Sequence, residues 1–279
     1  MVWGSTYLAI RVMVRSIPPL VGAGGRFVLA GALLGLLLCI PRRRVDWGVS
    51  PRQMRNAAWA GLLILVGGIG LVTVAEQDVP SALTALIIAS IPLWVALLQL
   101  LHKEKVHGQT IVAVLLGFAG LIVLLRPGQS GGPEVDSLLL LLAAALLTAI
   151  GTFYSNRMEM PGDLFVATMI EMLVAGAVLV LAGLFLGELD ELSIEQVSAE
   201  SLVAFVYLVF IGSLVAYSAF VWLLGNAKVS TVSTYAYVNP VVAVVLGVVL
   251  LGEQVSLSMF IGAAVIVLSV VLIVRSEQQ

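Results

Sequence analysis

Long apolar runs, broken only by short charged or turn-forming connections, constrain this chain more than any other feature. They fall at about residues 1–15, 19–40, 56–76, 80–101, 108–125, 137–155, 163–187, 202–224, 229–251 and 257–274. Most match the roughly 20 residues with which a helix crosses a hydrocarbon core of about 30 Å. Ten such helices use about 200 residues, and the chain has 279. No separate aqueous domain fits. Composition agrees: 61% of residues are hydrophobic and 11% charged, against roughly 45–50% and 25% in soluble domains. The expectation is an all-α integral membrane protein with ten transmembrane helices.

Several function classes drop out. Net charge is −2, and the 14 Lys and Arg are mostly used up in marking membrane topology, so no basic surface remains for nucleic acid. The one cysteine, Cys39, has no partner for an intrachain disulfide and no metal-ligand spacing around it. The first run is short: Met1 to Arg15 as a helix reaches only about 22 Å, so a truncated first helix is expected. A signal peptide fits worse, because nothing basic precedes the run and no small-residue cleavage pattern ends it.

Lys and Arg sort by side, as loops retained in the cytoplasm keep them. One side holds Arg42, Arg43, Arg44, Arg52, Arg55, Lys103, Lys105, Arg157, Lys228 and Arg275; the other holds Arg15 and Arg126, with Arg11 at the end of the first run. Acidic residues such as Glu76, Asp78, Glu134, Asp136, Glu188 and Glu253 gather on that second side. Both termini are therefore expected on the cytoplasmic side.

The halves also resemble each other. Gly4-Ser5-Thr6-Tyr7 matches Gly151-Thr152-Phe153-Tyr154 at an offset of 147, and the segment from Arg26 matches that from Glu171 at 145. Pro92 matches Pro240 at 148, and Glu104 matches Glu253 at 149. Five helices per copy is an odd number, so the second copy enters from the opposite face. The expected organisation is a five-helix repeat over 1–128, an extracytoplasmic linker over 129–136 and an inverted repeat over 137–275. Two bundles of opposite orientation can exchange conformations and open a central site to each side in turn.

Trp3-Gly4-Ser5-Thr6-Tyr7, then Pro19 and Arg26, the Pro92 and Asn239-Pro240 helices, and Glu253 before a small-residue last helix together resemble EamA-type members of the drug/metabolite transporter superfamily, over essentially the whole chain. The resemblance implies a ten-helix carrier of small metabolites, often working outward, in a bacterial inner membrane. It also implies a cavity lined chiefly by the first, third, fourth, sixth, eighth and ninth helices.

Matched interruptions in both halves point to a carrier's site. Pro92 and Pro240 supply them, because each lacks an N–H and frees a carbonyl, at Ile88 and Ala236. Just before Pro240 lie Ser230, Thr231, Ser233, Thr234, Tyr235, Tyr237 and Asn239, a polar surface too wide to face lipid. The competing role for these hydroxyls is interhelical hydrogen bonding. Trp3, Tyr7, Trp94, Tyr154, Tyr217 and Trp222 offer large apolar faces with one polar handle; the rival for those near helix ends, as for Trp47 and Trp59, is an interfacial belt. The candidate substrate residues are Trp3, Tyr7, Thr84, Trp94, Tyr154, Tyr217, Tyr235 and Asn239.

Charge inside the spans is sparse. Arg26 reads as a structural anchor whose head reaches the interface. Glu171 is the candidate carboxyl for proton coupling. Glu76 and Gln77 read as a solvated rim, and His102 and His107 as ordinary loop residues. No haem pairing, H-E-x-x-H, G-x-S-x-G or G-x-x-x-x-G-K pattern occurs, so neither an enzyme nor an ATP-driven pump is expected, and no cofactor or metal. The reading is a secondary transporter of small neutral or zwitterionic, amino-acid-like metabolites, since phosphorylated substrates call for several clustered cations. Proton-coupled efflux of lipophilic cations through Glu171 is one alternative, and a non-transporting membrane scaffold or sensor is another. The expected partners are a small-molecule substrate, the bilayer and, for a coupled carrier, protons; a monomer is compatible with all of this.

Overall fold

The computed structural model describes residues 2–40, 45–104, 106–125, 134–217, 219 and 235–276, with the backbone alone at 191, 194, 235–237 and 276. The protein is an all-α membrane protein. Its main helices are α1 (Val2–Met13), α2 (Pro19–Leu38), α3 (Pro51–Ala75), α4 (Ser81–Ile88), α5 (Ile91–Leu101) and α6 (Gly108–Leu124). They continue with α7 (Val135–Ser155), α8 (Leu164–Phe185), α9 (Ala199–Val215), α10 (Tyr235–Leu251) and α11 (Leu257–Ser276). Among the described residues, six spans are long and apolar enough to cross a membrane, and Gly108–Leu124, Ala199–Val215 and Val238–Leu251 are shorter apolar helices. These lengths alone do not fix the count at ten. Ile122, Phe185 and Leu257 are 71%, 88% and 75% exposed, which suits side chains that meet lipid.

Helix starts follow from local chemistry. Ser50 and Gln53 form a reciprocal capping box at α3, Asp163 accepts from the Phe165 N–H at α8, and Ser198 from the Ser201 N–H at α9, each satisfying amides that a first turn leaves free. Two starts are capped from far along the chain. Glu188 accepts from Leu20 and Val21 N–H (3.1 and 2.8 Å) at α2, and Glu253 accepts from Ser81 N–H, Ser81 Oγ and Ala82 N–H (2.8–2.9 Å) at α4.

Packing rests on close helix crossings. A methyl added to Gly24 would lie 2.6 Å from Val180 N, and one on Gly176 2.7 Å from Val28 N, so α2 and α8 meet backbone to backbone. At the α6–α11 crossing, Gly120 and Gly262 face each other's carbonyls in the same way. Small residues allow this proximity where the medium supplies no hydrophobic drive between helices. Among the other helices, α1 packs on α9, α10 and α4, and α3 on α7 and α8.

Two departures from regular helix stand out. Leu62–Gly70 in α3 and Leu208–Val215 in α9 are π-helical, an arrangement that proteins place disproportionately at functional positions; their separation is close to the offset that relates Arg26 to Glu171. The prolines behave differently from each other. The Pro92 span is interrupted between Ile88 and Ile91, whereas Pro240 sits inside the continuous α10.

Candidate functional site

Helix α1 is the junction of the site. Trp3 points to α9, with Nε1 donating to the Gly212 carbonyl (3.4 Å) and its ring centroid 6.1 Å from that of Tyr217. The next residue, Gly4, faces α10; a methyl there would come within 2.7 Å of the Asn239 carbonyl oxygen. Helix α4 packs on both α1 and α10. Thr84 of α4 is fully buried and Asn239 is 8% exposed, yet Thr84 Oγ1 and Asn239 Oδ1 have no hydrogen-bond partner among the described residues. Buried polar atoms are paired in more than about nine cases in ten, so two unpaired oxygens on neighbouring helices are the strongest mark of a ligand site here.

The other wall carries charge. Glu171 of α8 accepts from Tyr217 Oη (3.2 Å), and Arg26 of α2 donates from Nε to Ser213 Oγ (2.7 Å). Tyr217 and Ser213 are four residues apart, so Arg26 and Glu171 address one stretch of helix beside Trp3. Arg26 is 4% exposed with its guanidinium 5.1 Å from the Phe27 ring centroid. It does not reach the interface, because Ser213 offers it a polar partner inside the bundle.

The structure therefore brings Trp3, Thr84, Tyr217, Asn239 and Glu171 onto helices that share α1 or α9, and it sets others apart. Tyr7 is half-buried against the main apolar core. Trp94 turns to α6, its ring edge-on to Phe118 at 4.7 Å, and its buried Nε1 has no partner among the described residues. Tyr154, 36% exposed, lies at the far end of α7, where its hydroxyl meets His102 Nε2 (3.2 Å). That contact also gives His102 a partner beyond its loop. Tyr235 starts α10 but its side chain, with that of Tyr237, lies outside the described residues, as do Trp222, Ser230, Thr231, Ser233, Thr234 and most of the 129–136 linker.

Glu76 is the reading that changes most. Instead of a solvated rim it is fully buried, with neither carboxyl oxygen hydrogen-bonded among the described residues. Arg11 donates to its backbone carbonyl. Its place after a run of apolar residues gave no hint of this, because burial comes from segments distant in the chain: Arg11 of α1 reaches its backbone carbonyl, and the end of α3 packs on α7 and α2.

Known proteins agree with this architecture. A family model described as the EamA-like transporter family matches residues 1–126 and 137–275. The chain is 39% identical over 274 residues to the Uncharacterized inner membrane transporter YedA of Escherichia coli strain K12, covering 98% of this chain and 87% of that one. It is 24% identical to the Uncharacterized transporter YvbV of Bacillus subtilis strain 168, covering 97% and 87%. A protein of known crystal structure superposes with a TM-score of 0.67 at 22% identity, covering 99% of this chain and 94% of that one; the likeness shows the fold.

Proposed function

Because the chain belongs to the EamA-like transporter family, and is thus a membrane transporter, we propose that it carries small neutral or zwitterionic, amino-acid-like metabolites outward by alternating access. The observation that carries this reading is the pair of buried, unpaired oxygens on Thr84 and Asn239, which a substrate with both donors and an apolar body would satisfy. Trp3 and Tyr217 supply the aromatic wall. A scaffold has no use for such atoms, since an unpaired buried oxygen costs about 1–3 kcal/mol.

The charge distribution supports a substrate without a phosphate. Arg26 is held by Ser213 and Arg11 by the Glu76 carbonyl, so these two cations are not gathered at the Thr84–Asn239 region. Glu171 is engaged by Tyr217, which favours a wall role over exchange of a lipophilic cation. The paired π-helical stretches and the matched offsets support two inverted five-helix repeats, split near residues 129–136, as the moving units. The bacterial inner membrane, with both termini cytoplasmic, is the proposed location.

Counterflow in reconstituted vesicles tests the reading. With labelled pools of neutral, aromatic, cationic and phosphorylated metabolites, the expected result is exchange of a neutral or zwitterionic class. Asn239→Leu and Thr84→Val should each lower that exchange about 10- to 100-fold, the equivalent of one lost buried hydrogen bond. Exchange of the phosphorylated pool, or full activity in both variants, would overturn it.

A further inference from the structure

Among the described residues three acidic side chains are buried, Glu76, Glu171 and Glu188, and the partly buried Glu253 reaches in to cap a helix; all but Glu76 find partners. Glu171 accepts from Tyr217 Oη, Glu188 from two backbone amides of α2, and Glu253 from two amides and a hydroxyl at the start of α4. Glu76 is different. It is 0% exposed and neither Oε1 nor Oε2 has a hydrogen-bond partner among the described residues. Arg11, the nearest candidate for an ion pair, directs its guanidinium to the Glu76 backbone carbonyl.

A bare carboxylate in such a place loses its hydration without recovering hydrogen bonds, a cost of several kcal/mol. A carboxyl that keeps its proton avoids that cost, and one whose surroundings open to water gives the proton up. From this contrast we propose that Glu76 is the site at which the protein binds and releases a proton as it cycles. The proposal rests on the transporter reading above and assigns the coupling step to a different residue from Glu171.

The groups around Glu76 make it responsive. Arg11 comes from α1, and Glu253 arrives at the start of α4 by capping Ser81. Asp78, in the same turn, accepts from Ser137 Oγ of α7 at 3.0 Å and is exposed, as is Asp136. On α2, Arg26 is turned to Ser213, and Arg15, past the end of α1, is exposed; on α8, Glu171 is held by Tyr217. The α4–α5 span contributes no ionisable side chain. Glu253 ties α10 to α4 and Arg11 ties α1 to the end of α3, so any movement of α1 or α10 alters the water, the positive charge and the acidic neighbour that Glu76 meets. Those are the helices that carry Gly4 and Asn239, so the proton site at the end of α3 answers to the same helices as the substrate region.

Two measurements on the full-length protein test the assignment. Infrared difference spectra of purified protein between about pH 5 and pH 9, without any substrate, should show the carbonyl stretch of a dry, protonated carboxyl that titrates and is missing from Glu76→Gln. No such band, or the same band in the variant, would overturn the proposal. In vesicles of phosphatidylethanolamine and phosphatidylglycerol, a pH gradient of one unit should accumulate a labelled pool of neutral amino acids up to about tenfold for one exchanged proton. Expressed as the ratio of gradient-driven to gradient-free uptake, the response should fall to one in Glu76→Gln and persist in part in Glu76→Asp, which guards against simple misfolding. A ratio unchanged in Glu76→Gln, or a response to a sodium gradient in place of pH, would overturn the assignment. Absence of counterflow in the wild type would count against the transporter reading instead, and the infrared arm would still decide the proton site.

Discussion

The two ends of the bundle use the same residue types for different purposes. At one end, Arg157 pairs with Glu104, donates to the Phe153 carbonyl (2.6 Å) and lies over the Phe153 ring at 3.6 Å. At the other, Arg11 occupies nearly the repeat-equivalent position of Arg157, and Glu253 that of Glu104, yet they do not form that pair. Glu253 caps α4, Arg11 holds a backbone carbonyl, and Glu76 is left buried between helices with its carboxyl unmatched. The first end is a latch at the water boundary, where Arg157 and Glu104 side chains are 38% and 36% exposed. At the second, the surroundings of Glu76 are dry, so an unmatched carboxyl there costs more than one at the surface.

That contrast sets the order of expected effects. Glu253→Ala should be the most damaging, because it strands two amides and a hydroxyl at a helix start; a loss of about 2–4 kcal/mol is expected, read as a lower unfolding temperature in detergent, while Glu104→Ala should cost about 0–1 kcal/mol. Glu76→Gln should have the opposite sign, raising stability by about 1–2 kcal/mol at neutral pH, because the wild-type carboxyl, ionised in the unfolded chain, must take up a proton to be buried here and the amide need not; a drop in unfolding temperature would show that the carboxyl has a partner after all. Arg157→Ala removes an exposed pair and a cation–aromatic contact, so about 0.5–2 kcal/mol is expected, and raising salt should erase the ion-pair share in the wild type only at this end. Tyr154→Phe, which removes only the contact to His102, should change stability by less than about 0.5 kcal/mol.

Much of the helical layout was legible because membrane spans announce themselves by length and apolarity; the polar first turns after Ser50 and Ser198 were not, since α3 and α9 begin at Pro51 and Ala199, ahead of the apolar runs at about 56 and 202. The prolines show where such reasoning stops. Pro92 and Pro240 are equivalent in sequence, but only the first accompanies a break, at Ala89 and Ser90, where the buried Ser90 donates its hydroxyl to the Ile87 carbonyl (2.6 Å). Helix 10 lacks such a serine at the matching position, Val238. Thr84 and Asn239 were legible as polar residues in apolar helices. Glu76 was not, since a carboxyl at the end of a span reads as solvated unless distant segments cover it.

What the sequence determined by itself is the class of molecule: apolar runs of bilayer length, charge sorted by side and a weak internal repeat leave an all-helical membrane protein and little else. These depend on periodicity and transfer energy, which act locally. Tertiary structure decided which polar groups share a site and which acids are satisfied, because hydrogen bonds from Tyr217 to Glu171, from Leu20 to Glu188 and from Ser81 to Glu253 join residues 46, 168 and 172 apart. Only the folded chain brings such partners within reach, and only there does Glu76 stand out, among the described residues, as a buried carboxyl without one.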